Sequence, residues 1–328
     1  MISVRGVARA AVVGAVVIVL CSPGVPRAFA QTPLLVTCNA TDGQVGGRIL
    51  SYDGYTGDFI GIFAPSVTTP RGIAVGPDGN IYVSSYNLHS VLRFNAGTGA
   101  LIDTFASGGG LKFPQGLTFG PDRNLYVAST LGSNTILRYN GTTGAFIDTF
   151  ADGPELHSPR GLLFGPDGNL YVASSSNSNL LRYNGTTGAL IDTFVSSNSG
   201  GLKYAIDLDF GPDGNLYLSS AGTKSVMRYD GQSGAFLGAF VPSGSGGLNE
   251  PYGLKFGPDG NLYVADAFSD AILRYDGETG AFIDRFASAG GMDAPMYFTF
   301  VPEPATLLLL AAGGLALLRR KRASEGKR

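Results

Sequence analysis

Two aspartates in the segment "YAIDLDF" (204–210) are the residues of this chain best suited by type and position to bind a ligand. Asp207 stands where equivalent segments elsewhere have glycine, and Asp209 replaces a small, apolar or basic residue. The glycines are Gly72, Gly116, Gly161 and Gly253. A carboxylate in place of glycine predicts either a polar or metal-binding group or an acid paired with a cation. Both alternatives stay open, the candidate cations being Arg71, Arg160 and Lys203.

Other reactive side chains are few and scattered. Glu155 and His157 share one predicted loop and His89 lies on another, and two histidines from different repeats do not make a metal site by themselves. Cys38 stands alone in an apolar strand once the predicted signal peptide is removed, which favours a packed residue over a nucleophile. The sequence therefore identifies no catalytic residue and predicts no cofactor, with a divalent metal at Asp207 as the open alternative.

The elements that must position these residues repeat at a nearly constant interval. The motif "FGPDGNLYVAS" and its variants place the glycine of "GPD" every 44 to 46 residues, and a motif such as "ILRYNGTTGAFIDTF" follows each time. The glycines are Gly76, Gly120, Gly165, Gly211 and Gly257. Each repeat predicts four short antiparallel strands, a to d, with tight turns between a and b and between c and d. This pattern indicates a β-propeller blade.

The two ends of the repeat array predict how the ring closes. Residues 34–63 supply strands b, c and d without a strand a, whereas residues 294–302 supply a strand a alone. Together they complete a sixth blade, and a closed ring leaves no open sheet edge. The predicted fold is all-β, a six-bladed β-propeller over residues 31–300. It is closed by N-terminal strands b, c and d with C-terminal strand a, and one C-terminal hydrophobic helix follows it.

Most of the repeated polar residues are predicted to be architectural. The aspartate of each "GPDGN" suits a turn better than calcium ligation, which needs several acidic residues at alternate positions. The repeated tyrosine of strand b suits packing between blades. In four blades an arginine on strand c and an aspartate on strand d predict a structural ion pair. These pairs are Arg93–Asp103, Arg138–Asp148, Arg182–Asp192 and Arg274–Asp284.

The two faces of the predicted disc differ in sequence. The turn face carries the nearly identical a–b and c–d turns, whereas the variable face carries b–c and d–a loops that differ in every blade. Because loops on a rigid scaffold usually carry recognition, we expect the variable face and the mouth of the central channel to bind a ligand. The candidate residues are Arg71, Gln115, Arg160, Asp207, Asp209 and Tyr252 around the channel, with Glu155 and His157 on a loop.

The N-terminus is typical of a targeting segment. Residues 1–30 combine Arg5 and Arg9, an apolar run and the small residues "AFA" before Gln31, which predicts a secretory signal peptide and export by the Sec machinery. Without the two terminal segments, residues 31–318 contain 14 Lys and Arg against 24 Asp and Glu, a net charge of −10. An acidic exported body argues against nucleic acid as a partner.

The C-terminus has three successive parts: "VPEP" (301–304), an apolar segment (305–318) and the basic cluster "RRKR" (319–322). A helix over the apolar segment would be only ~21 Å long, short of a ~30 Å hydrocarbon core. The basic cluster is expected to stay cytoplasmic with the tail 323–328, leaving the propeller outside. These features predict transient membrane insertion through residues 305–318, with a plain single-pass anchor as the alternative.

The repeats resemble known propellers. Segments such as "PRGIAVGPDGNIYVSS" (70–85) and "PYGLKFGPDGNLYVADAFSDAILRYD" (251–276) are similar to NHL repeats, which serve mostly as binding modules. Propellers of the SMP-30/gluconolactonase family also look similar and imply a metal-dependent lactonase, with the metal held by a Glu, two Asn and an Asp. Only Asp207 matches the acidic type of that set. Seven-bladed streptogramin lyases are similar along the repeat, but the count here is six.

The tail resembles the PEP-CTERM sorting signal. The residues that carry the resemblance are Pro302, Glu303 and Pro304, followed after the apolar segment by Arg319, Arg320, Lys321 and Arg322. The resemblance implies recognition, and cleavage near the Pro-Glu-Pro motif, by exosortase. This enzyme is a membrane protease-transpeptidase of Gram-negative bacteria that make exopolysaccharide.

Together these features predict an exported, monomeric binding protein of the cell surface or extracellular matrix, associated with exopolysaccharide or with envelope proteins. The alternative is a metal-dependent lactonase, another hydrolase or a lyase of the six-bladed type, and it rests on Asp207 and Asp209.

Overall fold

The computed structural model describes residues 32–39 and 46–302, which form a ring of six four-stranded antiparallel sheets. The predicted signal peptide (1–30) and the predicted hydrophobic helix (305–318) lie outside the described residues. Within the described ranges, no helix is both long and apolar enough to cross a membrane.

The strands follow one another in blade order along the chain. The closing blade contributes β1 (Pro33–Cys38), β2 (Gly47–Asp53) and β3 (Phe59–Val67). Blade 1 is β4 (Pro70–Val75), β5 (Ile81–Ser85), β6 (Ser90–Phe94) and β7 (Leu101–Ser107), and blade 2 is β8 (Pro114–Phe119), β9 (Leu125–Ser129), β10 (Thr135–Tyr139) and β11 (Phe146–Ala151). Blade 3 is β12 (Pro159–Phe164), β13 (Leu170–Ser174), β14 (Asn179–Tyr183) and β15 (Leu190–Val195). Blade 4 is β16 (Ala205–Phe210), β17 (Leu216–Ser220), β18 (Ser225–Tyr229) and β19 (Phe236–Val241). Blade 5 is β20 (Pro251–Phe256), β21 (Leu262–Asp266), β22 (Ala271–Tyr275) and β23 (Phe282–Ala287), and β24 (Pro295–Phe300) ends the ring. Short 3-10 turns at Ser199–Gly201 and Ser245–Gly247 precede β16 and β20.

The closing blade joins the two ends of the described chain. Its strand order is β24–β1–β2–β3, with Val36 opposite Phe298 in the antiparallel pair of β1 and β24. The backbone N–H of Val301 donates to the carbonyl of Pro33 at 2.8 Å and extends this pairing. The predicted six-bladed architecture and its mode of closure are confirmed.

Each "GPDGN" turn is held by its aspartate. Oδ1 of Asp78 accepts from the backbone N–H of Asn80 at 3.0 Å, while Oδ2 accepts from the Asn80 amide at 2.8 Å and from the Tyr82 hydroxyl at 3.0 Å. The other four turns repeat these bonds through Asp122, Asp167, Asp213 and Asp259. These carboxylates are therefore occupied by turn chemistry, as predicted.

The tyrosines of strand b join neighbouring blades. The buried ring of Tyr82 packs edge-to-face on Phe105, with centroids 4.8 Å apart, and on Phe119 of the next blade at 4.9 Å. The same contacts recur around Tyr126, Tyr171, Tyr217 and Tyr263. Because the hydroxyl also donates to the turn aspartate, one side chain fixes both the a–b turn and the blade interface.

The predicted arginine–aspartate pairs form in four blades. In blade 1, Nε of Arg93 donates to Oδ1 of Asp103 at 3.2 Å and Nη2 donates to Oδ2 at 2.5 Å, a bidentate geometry. The other three are Arg138–Asp148, Arg182–Asp192 and Arg274–Asp284. In blade 4, Arg228 faces Gly238 instead. These pairs lie at the rim, half-exposed, so each stabilises the fold weakly, by ~0–1 kcal/mol.

Part of the variable face is also architectural. Gly109, in the loop before β8, lies against the ring of Phe146, and a Cβ there would come within 2.2 Å of that ring. Its φ of 61° is a conformation that favours glycine. The Tyr139 hydroxyl donates to the Gly108 carbonyl at 3.0 Å and fixes the same loop. Three other loops repeat the close approach at Gly200, Gly246 and Gly290.

Candidate functional site

The six inner strands surround the central channel. Each inner strand begins at the variable face, and the second residues, close to that face, are Arg71, Gln115, Arg160, Ile206, Tyr252 and Met296. Their third residues are Gly72, Gly116, Gly161, Asp207, Gly253 and Tyr297. Among these third residues, Asp207 and Tyr297 depart from glycine, and the sequence analysis recognised only Asp207.

The inner glycines mark where neighbouring strands approach most closely. A Cβ on Gly72 would lie 2.6 Å from the carbonyl oxygen of Gln115, and one on Gly116 would lie 2.4 Å from that of Arg160. Real Cβ atoms do not make such contacts, so four blades require glycine here. Asp207 and Tyr297 occupy this position in the other two strands, and both line a cavity in the channel.

Hydroxyl groups of the second strands hold the channel residues in place. The Ser84 hydroxyl donates to the carbonyl of Gln115 at 2.5 Å, and the Ser219 hydroxyl donates to that of Tyr252 at 2.6 Å. The Thr37 hydroxyl lies 2.8 Å from the Arg71 carbonyl and 2.9 Å from the Tyr297 carbonyl. The backbone that carries the candidate residues is therefore fixed across three blade interfaces.

Two arginines of the channel mouth are flanked by aromatic rings rather than by carboxylates. The guanidinium carbon of Arg71 lies 5.2 Å from the ring centroid of Tyr86, and that of Arg160 lies 5.8 Å from the centroid of Tyr252. Among residues 32–39 and 46–302, neither arginine forms an ion pair. Burial lowers the pKa of Arg71, and the positive charge of Arg160 acts in the same direction.

Three polar atoms of this region are buried without a hydrogen-bond partner in the described part of the chain. They are Nε of Arg71, Oε1 of Gln115 and the hydroxyl of Tyr297. Gln115 and Tyr297 are 6% and 5% exposed, and burial raises the pKa of Tyr297. A buried polar group without a partner costs about 1–3 kcal/mol, so this density of unpaired groups is expected at a binding site.

We call Arg71, Gln115, Arg160, Tyr252 and Tyr297 the mouth cluster. The sequence analysis named the first four as candidates and missed Tyr297. The signal in the sequence for Tyr297 is its position in the strand, because Tyr297 occupies in β24 the position that Asp207 occupies in β16. The charges of Arg160, Arg71 and Tyr252 act on the Tyr297 hydroxyl, so these residues of the cluster lie near one another.

Asp207 and Asp209 lie deeper, between blades 4 and 5. Oδ2 of Asp207 accepts from the backbone N–H of Leu254 at 3.2 Å, and Oδ2 of Asp209 accepts from that of Phe256 at 2.9 Å. The cation whose charge acts on both carboxyls is Lys255 of β20. For the alternative in which the acid is paired with a cation, the cation is thus Lys255 and not Arg71, Arg160 or Lys203, because the inner strands run side by side and place consecutive residues of β20 against β16.

Burial is the main cause of the raised pKa values of these two carboxyls. It raises the pKa of Asp207 to about 7, although Lys255 and the N–H of Leu254 oppose the rise. It also raises the pKa of Asp209, against the same lysine and the N–H of Phe256. The two carboxyls act as acceptors that join β16 to β20, and Asp207 in addition faces the channel.

A cavity of about 360 Å³ occupies the half of the channel nearer the turn face. Asp207, Tyr297 and Lys255 contribute to its lining, with Thr118 and Thr299 nearer the turns. The second residues of the inner strands do not line it. Asp207 therefore lies further in than the mouth on the variable face, and Tyr297 is the one member of the mouth cluster that also lines this cavity.

The remaining candidates have local partners. Glu155 and His157 are exposed on the loop before β12, where the His157 ring nitrogen Nε2 lies 2.8 Å from the Pro154 carbonyl. Nδ1 of His89 accepts from the backbone N–H of Phe113 at 3.0 Å, so this histidine supports a loop. Cys38 is fully buried, and burial raises the pKa of its thiol to about 12, which keeps it in the unreactive thiol form.

The residues of the channel do not fit the metal set of the lactonase resemblance. That set needs a Glu, two Asn and an Asp, whereas the inner strands present glycines, Asp207 and Tyr297 at the equivalent depth. In the part of the chain that the structure describes, no three His, Cys, Asp or Glu side chains are grouped to hold a metal ion.

Comparison with solved structures agrees with this architecture. A chain of the nidogen/laminin complex matches with a TM-score of 0.67 at 18% identity, covering 82% of this chain and 98% of its own. A protein of unknown function from Bacteroides caccae matches with a TM-score of 0.64 at 16% identity, covering 83% of this chain and 100% of its own. The structure of a putative gluconolactonase matches with a TM-score of 0.57 at 17% identity, covering 68% of this chain and 79% of its own. At such identities the likeness concerns the fold.

Sequence comparison identifies the tail. Residues 300–322 match the PEP-CTERM protein-sorting motif, whereas no curated protein matches the chain. This motif indicates an exported, membrane-anchored precursor that exosortase sorts. The chain is therefore a six-bladed β-propeller that carries a PEP-CTERM sorting motif.

Proposed function

We propose that this protein is a binding component of the bacterial envelope, presented at the cell surface or in the extracellular matrix of a Gram-negative bacterium. The observation that carries the proposal is the sorting motif at residues 300–322, joined directly to the strand that closes the ring. Sec exports the chain, exosortase processes the tail, and the propeller then binds exopolysaccharide or another envelope protein.

The mouth cluster supports binding as the activity of the propeller. Its unpaired polar atoms lie where the inner strands meet the variable face, and hydroxyl bridges between blades hold them without the flexibility of a loop. Such a rigid, pre-formed arrangement is typical of a binding site, because little ordering accompanies the arrival of the ligand.

The hydrolase or lyase alternative rests on Asp207. Its raised pKa and its place in the cavity are features that a general acid or base would need. Its carboxylate, however, already accepts from Leu254, and its cationic neighbour is Lys255 rather than a further ligand residue. We therefore favour binding.

The proposal is tested in cells of an exosortase-containing, exopolysaccharide-producing strain. The full chain and a variant ending at Val301 are produced with a tag, and washed cells, matrix and medium are compared by immunoblotting. The intact chain is expected in the cell-surface and matrix fractions and the truncated chain in periplasm and medium. Equal distribution of the two chains, or an intact chain that stays in the cytoplasm, would refute sorting. An intact chain that washes from cells and does not bind extracted matrix would refute the binding role.

A further inference from the structure

We infer that the mouth cluster binds a sugar acid, namely a carboxylate-bearing sugar unit such as a uronic acid within a polysaccharide. The observation that carries the inference is a combination of groups on neighbouring inner strands: two arginines that form no ion pair within residues 32–39 and 46–302, a buried amide oxygen and a buried hydroxyl. The inference rests on the proposed function, which it deepens by naming the chemistry of the ligand.

The charge at the mouth is opposite to that of the body. Residues 31–318 carry a net charge of −10, and four rim arginines are neutralised by aspartates of their own blades. Within the described residues Arg71 and Arg160 have no such partner, and the positive charge of Arg160 acts on Arg71 and lowers its pKa. An anion placed between them would offset this repulsion.

The arginines also keep hydrogen-bonding capacity for an anion. The neighbours of their guanidinium groups are aromatic rings, Tyr86 at 5.2 Å for Arg71 and Tyr252 at 5.8 Å for Arg160. An aromatic ring does not take up the N–H donors as a carboxylate would, and Nε of Arg71 has no hydrogen-bond partner in the described part of the chain. A guanidinium edge matches the two oxygens of a carboxylate in a bidentate geometry.

The neutral members of the cluster indicate that the ligand also carries hydroxyl groups. Oε1 of Gln115 can only accept, and no carboxylate can donate to it. The Tyr297 hydroxyl can donate or accept and is equally unpaired. A ligand that satisfies the cluster must therefore combine an anionic carboxylate with hydroxyl donors, which is the composition of a sugar acid and not of a simple anion.

The test measures binding to the full-length chain, purified in mild detergent, by isothermal titration calorimetry. The probes are polygalacturonate, its fully methyl-esterified form, neutral galactan, and sodium sulfate at matched ionic strength. We expect binding of polygalacturonate alone, weakened by added salt. Binding that is as tight to the methyl ester or to galactan would overturn the carboxylate requirement, and binding of sulfate that displaces polygalacturonate would overturn the sugar requirement.

Variants locate the site. Arg71→Gln and Arg160→Gln are each expected to weaken polygalacturonate binding about 10- to 100-fold, as for the loss of charged hydrogen bonds. Arg123→Gln removes the same charge from the turn face, where Arg123 is exposed, and is expected to leave the affinity unchanged. Gln115→Leu, which keeps all charges, is expected to weaken binding less than the arginine variants.

The outcomes separate the two proposals. If the wild-type chain binds matrix but the three mouth variants bind it equally well, the mouth cluster is not the site and the proposed function stands. If polygalacturonate binds through the mouth but the chain is not sorted to the surface, the site stands and the proposed function fails. Melting curves by circular dichroism accompany each variant, and a variant that does not fold is replaced by Arg71→Lys or Arg160→Lys, which keep the charge and lose the bidentate edge.

Discussion

Replacing Asp207 with asparagine is expected to stabilise the propeller at pH 8 and to leave its stability nearly unchanged at pH 4. Burial between β16 and β20 raises the pKa of the Asp207 carboxyl to about 7, and Lys255 opposes this rise only in part. Asparagine keeps an oxygen that can accept from the N–H of Leu254, so the substitution removes the charge with little change of shape.

The sign follows from linkage. A carboxyl whose pKa is raised by folding stabilises the folded state while it is protonated, so this contribution is complete below the unfolded value of about 3.9 and is lost as the pH rises through about 7. At about 1.4 kcal/mol per pKa unit, the rise from 3.8 to about 7 corresponds to at most about 4 kcal/mol. Because Asp207 also faces the channel cavity, where water screens the charge, we expect about 2 kcal/mol.

The assay is urea unfolding of the full-length chain and of Asp207→Asn at pH values from 4 to 9, followed by circular dichroism because the chain has no tryptophan. Asp276→Asn is the control of opposite sign. Hydrogen bonds from the Thr279 hydroxyl and backbone N–H lower the pKa of Asp276, so its variant is expected to lose stability at neutral pH and not in acid. A difference between Asp207→Asn and the wild type that is the same at pH 4 and pH 8 would refute the reasoning.

Three further variants test the architecture of the channel and the rim by the same unfolding assay. Gly116→Ala is expected to destabilise the ring by about 1–3 kcal/mol, because its Cβ would lie 2.4 Å from the Arg160 carbonyl; a stability equal to wild type would show that the inner strands can separate. Asp103→Asn is expected to lower stability by less than about 1 kcal/mol, with an effect that shrinks in 1 M salt, and a larger, salt-independent loss would contradict a rim ion pair with Arg93. Arg71→Met is expected to raise the melting temperature, since it removes a buried charge that has no carboxylate partner, and a fall would mean that Arg71 is paired within the fold.

Much of the fold could be predicted because the same local hydrogen bonds and turns are encoded in each repeat. Each "GPDGN" turn encodes the same hydrogen bonds, and the aspartate, asparagine and tyrosine that form them lie within five residues of one another. The incomplete repeats at the two ends then determine how the ring closes, and β24 does pair with β1. These are local or counting arguments, which a single sequence can supply.

The channel was harder to predict because its contacts join residues that are distant in sequence. Asp207 accepts a hydrogen bond from the backbone of Leu254 in the next blade, 47 residues away. The same register between inner strands brings the charge of Lys255 close enough to act on Asp207. The sequence predicts that the loops of the variable face bind a ligand, whereas Gly109 in one of these loops packs on Phe146 and supports the following blade. Without the relative height of the inner strands, neither contact follows from residue type.

Tyr297 shows what the repeats could have revealed and did not. Its strand completes the sixth blade, and only a position-by-position comparison with the other inner strands distinguishes Tyr297 from them. That comparison would have placed a large aromatic residue where four strands require glycine. A closing strand comes from the other end of the chain, and the signal lay in its departure from the repeat rather than in its agreement.

The departures from the repeat also explain where binding can occur in a pseudo-symmetric ring. A residue copied into every blade presents six equal groups to the axis, and six like charges there would repel one another. A single ligand on the axis needs different groups from different blades. The second positions of the inner strands supply them, with arginine in blades 1 and 3, glutamine in blade 2 and tyrosine in blade 5. The repeated aspartates and tyrosines hold the ring, and the unrepeated positions at its centre are free to carry recognition.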